Sequence, residues 1–70
     1  MAAQTISIVV RGRIGPDLVA ALDGFEIKTD APGVTRIVGR VPDQAKIFGL
    51  LAMFESLHIE VVSLNPVVQA

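Results

Sequence analysis

The stretch "RGRIGPD", residues 11–17, gathers residue types that bind anions. Arg11 and Arg13 bring charge, Gly12 and Gly15 leave the backbone approachable, and Pro16 followed by Asp17 marks a helix start. Backbone N–H groups at such a point can hold a carboxylate or phosphate, with a guanidinium adding charge. Arg36 joins the set if its strand lies beside that of Arg11. The candidate ligand-binding residues are therefore Arg11, Arg13, Gly15 and Arg36. Two features weigh against them. Asp17 stands in the first helical turn and repels an anion. Glu26, Asp30 and Glu60 share the arginines' face, so cross-strand ion pairs would neutralise much of the field.

Other chemistry is sparse. Glu55 and His58 are three apart at a helix end, within reach of acid–base work. A lone histidine there also complements the negative end of the helix dipole, and no nucleophile stands beside it. Ser56 and Ser63 have no base arranged around them. One histidine and no cysteine leave no metal site and no disulfide. No catalytic residue, metal or cofactor is assigned, and an enzyme is not the expectation. A net charge of −1 gives no electrostatic case for nucleic acid, and no aromatic platform accompanies the arginines. No apolar run reaches membrane-spanning length. The start, "MAAQTISIVV", has no basic segment before its apolar run, so a cytoplasmic location is expected.

Six elements must position these residues. "TISIVVRGRI" alternates, with Ile6, Ile8 and Val10 on one face and Ser7, Val9, Arg11 and Arg13 on the other. A two-turn helix follows, capped at Gly15, with Leu18, Val19 and Leu22 as its apolar stripe and Gly24 as its stop. "FEIKTD" is a second strand, with Phe25 and Ile27 inward. "APG" is a turn, and "VTRIVGRV" a third strand with Val34, Arg36, Val38 and Arg40 on its outer face. A second helix opens at Pro42 and Asp43. Ile47, Leu50, Leu51, Phe54 and Leu57 follow the i, i+3, i+4, i+7 rule. "HIEVVSLN" is the last strand, closed by Pro66.

The order is βαββαβ, with an echo between "GRIGPD" and "GRVPD" at the two strand–helix junctions. The expected fold is α+β: a ferredoxin-like sandwich of one four-stranded antiparallel sheet with two helices on one face, a single domain over 1–70. The segment "GRVPDQAKIFGLLAMFESLHIEVVSLNP", Gly39 to Pro66, resembles a family of short bacterial proteins of unknown function. Their second half reads roughly "G-x-V-x-DQAAL-x-GLL" and then "LGL-x-LxSV". The likeness extends into "VRGRIGPDLVAALDGFEI" and covers nearly the whole chain, but it implies no activity. At fold level the chain also resembles ACT-type regulatory domains, which bind amino acids at interfaces near the first strand–helix loop. That loop here is Arg13 to Asp17, with Gly-Pro-Asp where ACT loops commonly carry D-x-P-G.

The second helix carries the clearest signal. A surface helix needs a polar outer stripe, yet Ala45 to Phe54 holds one charge, Lys46. Opposite the core stripe lie Ala45, Phe48, Gly49, Ala52 and Met53, small or apolar, and Gly49 costs about 1 kcal/mol of helix propensity. Packing of Phe48 or Met53 under the short first helix would explain part of this arc. The remainder suits a protein–protein contact, most simply a symmetric homodimer. The open sheet face offers a second contact, with Val9, Val34, Val38 and either Val62 or Leu64 as an apolar patch. A chain of 70 residues buries only about 60 % of its unfolded surface, and oligomerisation is the one common staple still open to it. The expected role is a small non-catalytic interaction module, a homodimer or higher homo-oligomer, serving as an accessory or regulatory subunit, with a larger enzyme or regulatory protein as a further partner. The alternatives are an ACT-like sensor of a carboxylate or amino acid, and an enzyme of the dimeric α+β barrel type.

Overall fold

The computed structural model describes residues 3–12 and 14–67. The elements run β1 (Gln4–Arg11), α1 (Pro16–Ala21), β2 (Glu26–Ala31), β3 (Val34–Val41), α2 (Gln44–Ser56) and β4 (Glu60–Pro66). The four strands form one antiparallel sheet in the order β2-β3-β1-β4. This is the ferredoxin-like sandwich, with both helices on one face of the sheet.

Alternation in the strands builds the core. Ile6, Ile8 and Val10 of β1 and Ile37 and Val41 of β3 are fully buried. They meet Leu18 and Leu22 from the first helical segment and Leu50 and Phe54 from α2. Helix α1 has only six residues and presents a single line of contacts, Leu18 and Leu22, one turn apart. Val19, expected in that stripe, is turned outward and 49 % exposed. The stripe of α2 is also rotated from its expected centre. Leu50 and Phe54 are buried, Ile47 and Met53 pack against the core, Leu51 is only partly covered and Leu57, past the helix end, is 47 % exposed. Met53 thus belongs to the inner side and not to the outer arc.

The two helices start differently, which undoes the echo between their junctions. Gly15 caps α1 with no side chain to offer, and Pro16 opens the helix. In α2 Asp43 is itself the cap, its carboxylate accepting the Lys46 N–H at 3.0 Å, and Pro42 stands before it. A cap of this kind contributes about 1 kcal/mol.

Two strands carry an extra residue. Val10 pairs with Val61 and Val9 with Ser63, so Val62 is left over in β4. The bulge resets the parity: Val61 and Leu64 both face the core, while Val62 and Ser63 both face away. Leu64 is therefore a core residue and Val62 the open-face one. The same device at Asp30 in β2 sets it beside Ala31 on the open face. The Pro32–Gly33 turn joins β2 to β3, with Gly33 at φ +76°, the value a type II turn requires at that position.

The ring of Phe25 lies over Gly39 on the core side of β3, in space that a Cβ at 39 would occupy. Gly39→Ala is expected to lower the unfolding free energy by about 1–3 kcal/mol in urea titration. Phe25→Leu in the same chain should remove most of that loss, and equal losses in both backgrounds would rule the contact out as its cause. His58 has φ +59° at the end of α2. Ile59 N–H reaches the Phe54 carbonyl at 2.9 Å and His58 N–H reaches the Glu55 carbonyl at 3.0 Å, the two bonds of a Schellman motif. Histidine occupies the left-handed position that glycine favours. His58→Gly should raise stability by about 0.5–1 kcal/mol, or several degrees of Tm for a domain this small, in a thermal melt.

Candidate functional site

The helices cover one face of the sheet and no described element covers the other. On that open face the strand register sets residues level with one another. Glu26, Val38, Ser7 and Asn65 form one row across the sheet. Lys28, Arg36, Val9 and Ser63 form the next, with Val34, Arg11 and Glu60 beyond it.

Arg11 and Arg36, both assigned to an anion site from the sequence, are engaged elsewhere. Arg11 stands directly opposite Glu60 on the edge strand β4 and pairs with it at 3.1 Å. Arg36 reaches the bulged Asp30 on the other edge strand, β2, at 3.4 Å. Lys28 pairs along its own strand with Glu26 at 2.9 Å. The guanidiniums are drawn outward to edge carboxylates, and the middle of the face is left to Val9, Val34, Val38 and Ser7, all partly exposed. Val62 extends this apolar centre and is 47 % exposed.

Gly15 does not share this face. It lines a cleft of about 190 Å³ between the start of α1 and the junction of α2 with β4, together with Asp17, Leu57 and Ile59. Among the described residues the only charge there is the Asp17 carboxylate. Arg13 lies outside the described residues. The expected ligand set is therefore not gathered in one place by the residues that are described. A second hollow, about 240 Å³, lies at the other end of the sheet between Thr5, Arg40 and Val67. Both are smaller than the roughly 300–1,000 Å³ of most small-molecule sites.

The outer arc of α2 is as apolar as its sequence suggests. Ala45, Phe48, Gly49 and Ala52 are all exposed, and Phe48 is 59 % exposed with no cover from α1. Gly49 has open space where a Cβ would stand. Glu55 and His58 meet only through the backbone of the helix cap, and both are exposed. Among the described residues no group of three or more histidine, aspartate or glutamate side chains could hold a metal ion. No helix among them is long and apolar enough to cross a membrane.

Sequence reasoning named the charged residues of the open face but not their pairing. The pairing depends on the strand register, which residue type alone does not give.

Residues 5–65 match the model of a family described as a domain of unknown function (DUF8691). The chain belongs to that family. No curated protein and no solved structure matches the chain. The family's matched segment covers all six elements but for Gln4 and Pro66 at the outer ends, so the ion-paired sheet face and the bare helix arc both fall within it.

The Arg11–Glu60 pair is more than half exposed on both sides, at 60 % and 62 %. Such pairs are screened by water and contribute little. Glu60→Gln in dilute solution is expected to change the unfolding free energy by less than about 0.5 kcal/mol. Urea denaturation at low and high salt measures this, and a loss several times larger would mean the pair is shielded.

Proposed function

We propose that this chain is a non-catalytic interaction module that works as a homo-oligomer, an accessory or regulatory subunit. The observation that supports this reading is apolar surface left bare on both layers of a very small fold. Phe48 on the helix layer is 59 % exposed and Val62 on the sheet layer 47 % exposed. Among the described residues, the closed core that must hold the chain together contains only ten side chains. A monomer of this size sits close to the limit of independent stability. Burying the bare side chains against a second copy adds stability at about 25 cal/mol for each Å² of apolar surface.

Assembly of this kind couples stability to concentration, because the associated state binds copies that the unfolded state does not. The melting temperature is expected to rise by a few degrees for each tenfold increase in protein concentration. Light scattering on the same samples should give a mass of at least two chains. A single-chain mass at high concentration, with a melting temperature independent of dilution, overturns the reading.

A further inference from the structure

We propose that the surface used for self-association is the open face of the sheet, packed against the same face of a second copy about a two-fold axis. This inference rests on the homo-oligomeric reading above and names the site that carries it.

Area separates the two candidate surfaces. The α2 arc is 13 residues long. At 1.5 Å per residue and a helix width near 10 Å, it offers a footprint of roughly 200 Å² per copy. A pair of such arcs covers no more than a lattice contact usually does, which is mostly below about 800 Å². The sheet face has four strands about 4.8 Å apart and roughly 23 Å long, a flat footprint of roughly 450 Å² per copy. Side-chain relief brings a pair of these faces toward the lower bound of specific interfaces, about 1,200 Å².

Charge then identifies the occupant. Among the described residues the face carries four cationic side chains, Arg11, Lys28, Arg36 and Arg40, against the carboxylates of Glu26, Asp30 and Glu60. Three of the cations are already paired. A surface so nearly neutral does not select an acidic protein or a phosphate backbone, which need cationic charge to spare. A second copy supplies both signs. The layout suits it as well: Arg11 and Arg36, rooted on the central strands, reach carboxylates on the edge strands, which leaves Val9, Val38 and Ser7 between them as an apolar patch framed by ion pairs. Glu26 lies in the row of Ser7, and Lys28 in the row of Val9. A two-fold axis running across the strands between these rows sets Glu26 of each copy over Lys28 of the other.

The test places a charge at the centre of each surface and reads the mass. Val9→Lys buries an unpaired ammonium in the proposed interface, and its dimer dissociation constant is expected to rise about a hundredfold or more by sedimentation. Phe48→Glu, on the helix arc, is expected to keep the parental mass. The chain has no cysteine, so single ones can be introduced as reporters without altering the sheet. Ser7→Cys should be joined into a covalent dimer by a short bismaleimide in dilute solution, and Ala52→Cys should not. This readout also decides the matter if Val9→Lys fails to fold. Loss of the dimer in Phe48→Glu with cross-linking only at Ala52→Cys overturns the sheet-face inference while leaving homo-oligomerisation intact. A monomeric parent chain overturns both.

Discussion

Burial of three side chains on one strand holds this fold together. Ile6, Ile8 and Val10 of β1 are completely enclosed. β1 is hydrogen-bonded on both sides, to β3 and to β4, and the remaining core side chains close over the same face. With no disulfide and no metal cluster among the described residues, apolar contact is the main source of cohesion. The rest of the structure can be understood as ways of bringing partners to that strand. Register places Ile37 opposite Ile8. The Schellman turn at His58 brings Ile59 back against Phe54, closing the end of α2 where β4 begins. The bulge at Val62 keeps both Val61 and Leu64 on the inner side of a strand whose simple alternation would turn one of them out.

That dependence explains which features were legible in the sequence. Period-two alternation in β1 and β3 is unbroken, so the inward residues of both strands could be read from residue type alone. Punctuation at Gly15–Pro16 and Pro32–Gly33 located a helix start and a hairpin for steric reasons that hold in any context. The reading failed where one residue changed the phase. Val62 and Leu64 were indistinguishable because a bulge in β4 has no glycine or proline to mark it. In helix α2 the sequence pattern puts Leu51 and Leu57 inside and Met53 outside, where the structure has Met53 against the core and Leu57 exposed, because nearly every residue on it is apolar and the period has little contrast. Val19 looked like a core residue because a helix of six residues has no second turn to show which of two neighbouring apolar positions is inside.

The candidate site shows the same limit from the side of function. Residue types at Arg11, Gly15 and Arg36 fit anion binding one by one. Tertiary placement separates them: the arginines face the open side of the sheet, and the glycine lies at the cleft by the start of α1. What the sequence did contain was the balance of charge on one strand parity, with carboxylates at Glu26, Asp30 and Glu60 beside the cations. That balance weakens the case for an anion site, because every cation neutralised within the sheet is lost to an external partner.

Geometry adds a constraint on how the two bare surfaces can be used. The outer arc of α2 points away from the sheet, and the open sheet face points the opposite way. If both surfaces were self-complementary about two-fold axes, copies would join alternately face to face and helix to helix. Such a series does not close and grows into a filament. A finite assembly requires that only one surface recognise its own copy. The sheet face has the larger footprint and the more balanced charge, and it would close a dimer in one step. The α2 arcs would then lie on the two outer sides of that dimer, separated by both sheets and both helix layers. Phe48, flanked by Ala45 and Ala52, would be displayed twice, related by the same two-fold axis. A partner engaging both arcs would gain from their linkage with no new contact, because the second engagement is intramolecular. Dimerisation through the sheet would in this way stabilise a marginal core and also make a weak helix surface bivalent.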